Sequence, residues 1–133
     1  MNQDLDGNKG VLFYDTYALY AIVIGDNSYQ KYSHGWRIVT TLMHLYELYY
    51  TLIKEGSEDL AETVLSSLST YCVGFSSETI KRAAHFRMSN SKKKFSYIDC
   101  LGYAIARERN ISFLTGDQSF KDVQHVQFVK ESR

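Results

Sequence analysis

The chain has 133 residues, enough for one domain with a sizeable core. It is 44% hydrophobic and 14% aromatic, with eleven Tyr and no Pro, which excludes a disordered or linker-type chain. Lys and Arg balance Asp and Glu to a formal net charge of zero, which excludes a bulk polycation, and no apolar run approaches the roughly 20 residues that cross a bilayer.

In chain order, Met1 to Gly10 is polar and acidic and reads as a loose leader before a single domain over 11–133. It lacks the basic start and apolar middle of a signal peptide, so a cytoplasmic location is expected. Val11-Leu12-Phe13-Tyr14 runs straight into Asp15 and Thr16. A continuous apolar run ended by polar groups reads as a strand buried on both faces, with Asp15 where the strand leaves the sheet. Thr16 to Gly25 is expected to be a short helix, with Thr16 able to cap it and Gly25-Asp26-Asn27 ending it. Ser28 to Ser33 fits another helical turn, and Trp36 to Thr40 a short strand or an extended entry.

Thr41 to Glu55 carries the strongest helical period, with Leu42, Leu45, Tyr46, Leu48, Tyr49, Leu52 and Ile53 at three- and four-residue steps. Gly56 stops it, and Ser57 caps a helix with Leu60, Val64, Leu65 and Leu68 inward. Tyr71 to Phe75 reads as a strand, Ser77 opens a further helix, and Asn90 to Lys94 is a basic loop. Ser96 to Arg109 is helical, with Asn110 as its stop. Ile111 to Leu114 is a strand running into Thr115-Gly116-Asp117, followed by a helical turn at Ser119 to Lys121 and a last strand at Val126 to Val129. Helices alternating with short apolar strands give an α/β class with a mainly parallel sheet.

Charge is uneven along the chain. Lys81 to Arg109 holds eight Lys/Arg against Asp99 and Glu108, a pattern that fits either a nucleic-acid footprint or a solvated helical face. Cys72 and Cys100 are far apart and read as small buried hydrophobes. His34, His44, His85 and His125 have no spacing that suggests a catalytic pair. So many aromatics favour self-association, with Trp36 and the tyrosines in the core or at a dimer surface.

Two strands, ending at Asp15 and at Leu114, each deliver Thr and Asp just beyond their ends. Parallel strands put those ends on one edge, so Asp15 and Asp117 become neighbours in space. In open α/β sheets that edge is where ligands bind. Asp99 sits in Ser96-Tyr97-Ile98-Asp99, a capping-box pattern that by itself accounts for the acid. Glu47 fits a solvent stripe with Thr40, His44, Thr51 and Lys54, and Asp117 fits a turn or a cap. Taken together, carboxylates with hydroxyl and water partners are what Mg²⁺ or Mn²⁺ requires. Such ions activate water and clamp a phosphodiester.

The ordered pieces resemble a known family. They are Phe13-Tyr14-Asp15-Thr16-Tyr17-Ala18-Leu19, Val39-Thr40-Thr41 running to Glu47-Leu48, Ser96-Tyr97-Ile98-Asp99, Ala104-Ile105-Ala106, and Phe113-Leu114-Thr115-Gly116-Asp117 with Phe120. In order and spacing, over residues 11 to about 129, the chain resembles the PIN-domain nucleases, and most closely the VapC-like ribonucleases of prokaryotic toxin–antitoxin pairs. The resemblance implies a three-layer fold with a central, mainly parallel sheet between helices. It also implies a metal site of Asp15, Glu47, Asp99 and Asp117 for Mg²⁺ or Mn²⁺. Asp15 and Asp99 would be the principal ligands, and Thr16 and Thr115 would orient the carboxylates. Homodimers, and for the toxin members inhibition by a small antitoxin, are further implied.

The leading expectation is therefore a metal-dependent endoribonuclease, in the toxin role or outside it, with Arg87, Lys92, Lys93 and Lys94 helping to hold RNA. The alternative is a PIN-like module that holds RNA or a protein without cutting. A receiver-type phosphoacceptor also gathers acids at a sheet edge. It would need a second acid beside Asp15 and a lysine after a late strand; Tyr14 and Thr16 flank Asp15 instead, and no Lys fits.

Overall fold

The computed structural model describes residues 8–132. Residues 1–7 of the expected leader lie outside the described residues, and Gly10 is already the first residue of a strand. That strand, β1 (Gly10–Tyr14), leads into α1 (Thr16–Val23), a 3-10 segment (Asn27–Tyr32), β2 (Trp36–Val39), α2 (Leu42–Lys54) and α3 (Glu58–Leu68). A 3-10 turn (Ser69–Tyr71) then precedes α4 (Ser77–Ser89), α5 (Tyr97–Glu108), β3 (Ser112–Thr115), a 3-10 turn (Gln118–Phe120) and β4 (Val126–Phe128).

The strands form one sheet in the order β2-β1-β3-β4, and every pairing is parallel. Parallel neighbours need crossovers, and the helices that make them cover both faces. Side chains alternate across the sheet. Leu12, Tyr14 and Leu114 pack on one face with Leu19, Leu45, Leu48 and Leu52. Phe13 and Phe113 pack on the other with Phe95, Cys100, Tyr103, Ile105 and Phe120. The three-layer α/β architecture expected from the sequence is the one observed. Burial on both faces holds for Leu12, Phe13 and Tyr14, whereas Val11, at the mouth of β1, is exposed.

Two local expectations change. The run Tyr71 to Phe75 is not a strand; it makes a single bridge, Thr40 to Cys72, through Thr40 N to the Tyr71 carbonyl at 3.2 Å and Val73 N to the Thr40 carbonyl at 2.9 Å. The 3-10 turn before it and the exposed Gly74 and Phe75 after it leave only that contact in register. At α1 the N-cap is Asp15, without a side-chain cap bond, and Thr16 is the first helical residue. The stop at Asn110 holds: its φ of 56° is the left-handed conformation that ends α5.

Small residues set the close approaches at the carboxyl edge. A Cβ on Gly102, in α5, would lie 2.6 Å from His44 Nε2 and 2.8 Å from the Phe13 ring. One on Gly116, between Thr115 and Asp117, would lie 2.3 Å from both the Tyr17 ring and the Val129 carbonyl. Among the described residues no helix is long and apolar enough to cross a membrane. Because the Val129 obstacle is backbone, Gly116→Ala is expected to destabilise the fold by about 1–3 kcal/mol. Urea unfolding checks this; an unchanged midpoint would contradict the packing.

Candidate functional site

The parallel pairing of β1 and β3 brings two distant chain segments to one edge. Beyond the Tyr14–Leu114 pair, Asp15 N donates to the Leu114 carbonyl at 3.1 Å. Thr115 Oγ1 then donates to Asp15 Oδ2 at 2.7 Å. The same Thr115 oxygen accepts Asp117 N at 3.1 Å, and Asp117 Oδ1 accepts Ser119 N at 2.9 Å. One hydroxyl thus ties the carboxylate ending β1 to the backbone of the acid after β3.

Glu47 is drawn to this edge rather than into a solvent stripe. Thr16 Oγ1, freed from capping, donates to Glu47 Oε1 at 2.6 Å. Thr40 and His44, expected on that stripe, are fully buried. Asp99 does close the capping box: Ser96 N donates to its Oδ2 at 2.8 Å and Asp99 N to Ser96 Oγ at 2.9 Å. The cap and a place at the edge are compatible, because α5 ends at the start of the parallel strand β3 and so its first turn lies toward the opposite, carboxyl edge.

The electrostatics link all four acids. Burial pushes the Asp15 carboxyl well above the usual carboxylate range, and the Asp99 and Glu47 charges add to this while the Thr115 hydrogen bond opposes it. Burial, with the Asp117 and Glu47 charges adding and the Ser96 bonds opposing, pushes Asp99 up to about 6. Carboxylates in one another's field behave this way when no cation is between them. Among the described residues no three His, Cys, Asp or Glu side chains already stand together as a ligand cluster. The donor chemistry nevertheless fits a hard cation: the set is carboxylates and hydroxyls, and Asp15 Oδ1 is buried with no hydrogen-bond partner.

His44 is a member of this site that the sequence did not single out. Its Nε2 lies 3.9 Å from Asp15 Oδ1, and neither atom has a hydrogen-bond partner among the described residues. Thr41 Oγ1 accepts the backbone N–H groups of Met43 at 3.1 Å and His44 at 3.2 Å, and stands 2.7 Å from His44 Nδ1. With both lone pairs engaged, the Thr41 hydroxyl donates to Nδ1, which leaves the imidazole proton on Nε2, facing Asp15. Burial pushes the His44 pKa down to about 3, opposed by an Ile98 backbone group that does not reach hydrogen-bond geometry with Nε2. The ring is therefore a neutral donor. The available sequence signal was its position one helical turn before Glu47.

The basic residues divide. Lys81 pairs with Glu78 and Arg82 with Glu108. Arg87 Nε donates to the Phe95 carbonyl at 3.2 Å, and Lys93 Nζ to the Ser119 carbonyl at 3.2 Å, beside Asp117. Lys92 and Lys94 are exposed in the loop between α4 and α5.

The PIN domain family model matches residues 12–126. Comparison with curated proteins returns no match. Among solved structures, the chain is similar to VapC20 of Mycobacterium tuberculosis, a Sarcin-Ricin loop cleaving toxin, at 19% identity and TM-score 0.73, over 89% of this chain and 98% of that one. It is similar to a toxin–antitoxin complex from Klebsiella pneumoniae at 18% identity and TM-score 0.67, covering 86% and 94% of the two chains. VapBC2 from Rickettsia felis, bound to a DNA fragment from their promoter, is similar at 18% identity and TM-score 0.67, covering 92% and 99%.

The raised carboxylates carry a stability consequence. Asp99 titrates near 6 in the fold against an ordinary 3.8, so its charge costs nothing below pH 3.8, and the cost is complete above about pH 6. Asp99→Asn keeps an oxygen for the Ser96 N–H and removes the charge. Without metal, the variant is expected to exceed wild type by about 1–2 kcal/mol near pH 7.5, and by less near pH 4.5. His44 has the opposite sign, its neutral burial costing stability as pH falls below 6.5, but it is common to both proteins and cancels. Urea unfolding at the two pH values checks this. An equal difference at both would contradict the shift.

Proposed function

The chain belongs to the PIN domain family, and from that premise we propose that it is a divalent-metal-dependent endoribonuclease, a hydrolase of RNA phosphodiester bonds, acting as the toxin of a toxin–antitoxin pair. The observation that carries this reading is that Asp15 and Asp117 are joined through Thr115, while Glu47 and Asp99, from two further segments, act on Asp15 strongly enough to help push its carboxyl upward. RNA as substrate and a small antitoxin as partner come from the names of the similar structures, one a Sarcin-Ricin loop cleaving toxin and two others toxin–antitoxin assemblies.

In this reading Asp15 and Asp99 are the principal ligands of Mg²⁺ or Mn²⁺, with Glu47 and Asp117 completing the shell or holding water. When bound, the ion supplies a water of lowered pKa and neutralises charge at the phosphodiester. The protein's own groups orient the donors. Thr115 holds one oxygen of Asp15, Thr16 holds one of Glu47, and the Ser96 N–H holds one of Asp99. Arg87, Lys92, Lys93 and Lys94 hold the RNA backbone. A homodimer is part of the proposal, supported by the exposed apolar stripe of Leu42, Met43, Tyr46, Tyr50 and Ile53 along α2.

A second reading, a PIN-like module that holds RNA or a protein without cutting, is favoured by one observation: among the described residues no three potential ligands are already drawn together. Cleavage of a mixed structured and single-stranded RNA pool separates the two. The nuclease reading predicts cutting in Mg²⁺ or Mn²⁺, none in chelator, and a rate about 100-fold or more lower for Asp99→Asn. Full cleavage by that variant, or cleavage unaffected by chelator, would contradict the proposed site.

A further inference from the structure

Tyr97 leaves 77% of its surface exposed at the first position of α5, two residues before Asp99. The Arg87 guanidinium carbon lies 4.2 Å from its ring centroid, and the Phe95 carbonyl pins Arg87 in place. Together these two side chains wall two adjoining cavities. One, of about 430 Å³, is lined by Ala84, Arg87, Met88, Ser91, Lys93 and Tyr97, so its only charged groups are cations. The other, of about 380 Å³, is nearly all apolar, with Met43, Phe75, Ile80, Ile98 and Leu101 on its sides. The cationic cavity reaches toward the turn that carries Asp117. Lys93, on its wall, donates to the Ser119 carbonyl, and Ser119 N donates to Asp117.

A flat aromatic face beside a cationic pocket is a chemical match for a nucleotide, whose base is a π-surface and whose phosphate is an anion. Aromatic side chains stack any base, and only unpaired bases offer a face to stack. A purely apolar protein partner would leave Arg87 and Lys93 without a counter-charge, whereas phosphate supplies it. We propose that the Tyr97–Arg87 wall is a nucleotide subsite: an unpaired base of single-stranded RNA stacks on Tyr97 while its phosphates meet Arg87 and Lys93. The strand's neighbouring phosphodiester is thereby presented to Asp99 and Asp117. This selects single-stranded over duplex RNA and is tolerant of base identity. It rests on the nuclease reading for its substrate.

The test uses the full chain in chelator, so that nothing is cut. Fluorescence anisotropy measures binding of a labelled single-stranded dodecamer RNA and of a duplex of equal length, for wild type, Tyr97→Leu and Tyr97→Phe. Tyr97→Leu is expected to weaken single-strand binding about 10-fold, with Tyr97→Phe close to wild type and the weaker duplex binding unchanged. Thermal unfolding confirms that these exposed substitutions leave the fold intact. Equal single-strand affinity for Tyr97→Leu and wild type overturns the subsite; if wild type still cleaves RNA with metal, the nuclease reading stands without it. If wild type neither binds nor cleaves RNA, both fall. If Tyr97→Leu keeps RNA affinity but turns a dimer into a monomer by light scattering, the wall is a protein interface and the subsite is overturned.

Discussion

Asp15 carries a carboxylate to the end of a strand that water barely reaches, and the surroundings of the edge answer the cost of placing it there. An isolated buried charge of that kind is expensive unless hydrogen-bonded or neutralised. One oxygen accepts the Thr115 hydroxyl, and the other faces the Nε2–H of a neutral His44 across 3.9 Å. Both supports depend on close packing at glycine. Gly102 gives His44 room against α5, and Gly116 lets the Thr115-Gly116-Asp117 segment pass beneath Tyr17 and Val129. The remaining acids increase the strain, since Asp99 and Glu47 both push the Asp15 carboxyl upward. On the proposed reading a cation at this edge would turn mutual repulsion into shared attraction.

Much of this was legible in the sequence because it follows from strand direction and order. Two apolar runs that each end in Thr and Asp become neighbours once their strands are parallel, and the Ser96–Asp99 cap forms as its spacing predicts. The side-chain partners were less legible. Helical spacing put Thr40, His44 and Glu47 on one solvent stripe, but Thr40 precedes α2 and bridges Cys72, Thr40 and His44 are fully buried, and Glu47 meets Thr16. That outcome depends on α5 packing beside α2 with a glycine at the contact, a pairing between segments far apart in the chain. Thr16 was read as a cap on local grounds, and a tertiary hydrogen bond to Glu47 took its hydroxyl instead. The run at Tyr71 to Phe75 had the composition of a strand but gained only one bridging contact at the β2 edge.

The basic segment shows why net charge misleads for a molecule of this kind. The chain sums to zero, and part of its cationic run is spent on the surface pairs of Lys81 and Arg82. Of the rest, Arg87 stacks on Tyr97, Lys93 leans toward the Asp117 turn, and Lys92 and Lys94 are exposed in the loop between α4 and α5. A patch of this size near acids that lie in one another's field gives neighbouring regions of opposite sign. That suits a phosphodiester substrate, whose flanking phosphates need cations while the scissile one needs a metal ion held by acids.

The central claim is that the acid edge holds a divalent cation between Asp15 and Asp99. Diffraction from crystals grown with Mn²⁺, using its anomalous signal to place the ion, tests this most directly. The account predicts an Mn²⁺ peak in contact with carboxylate oxygens of both Asp15 and Asp99, absent from crystals of Asp99→Asn. An empty edge at millimolar Mn²⁺, or an ion bound only elsewhere on the molecule, would contradict it.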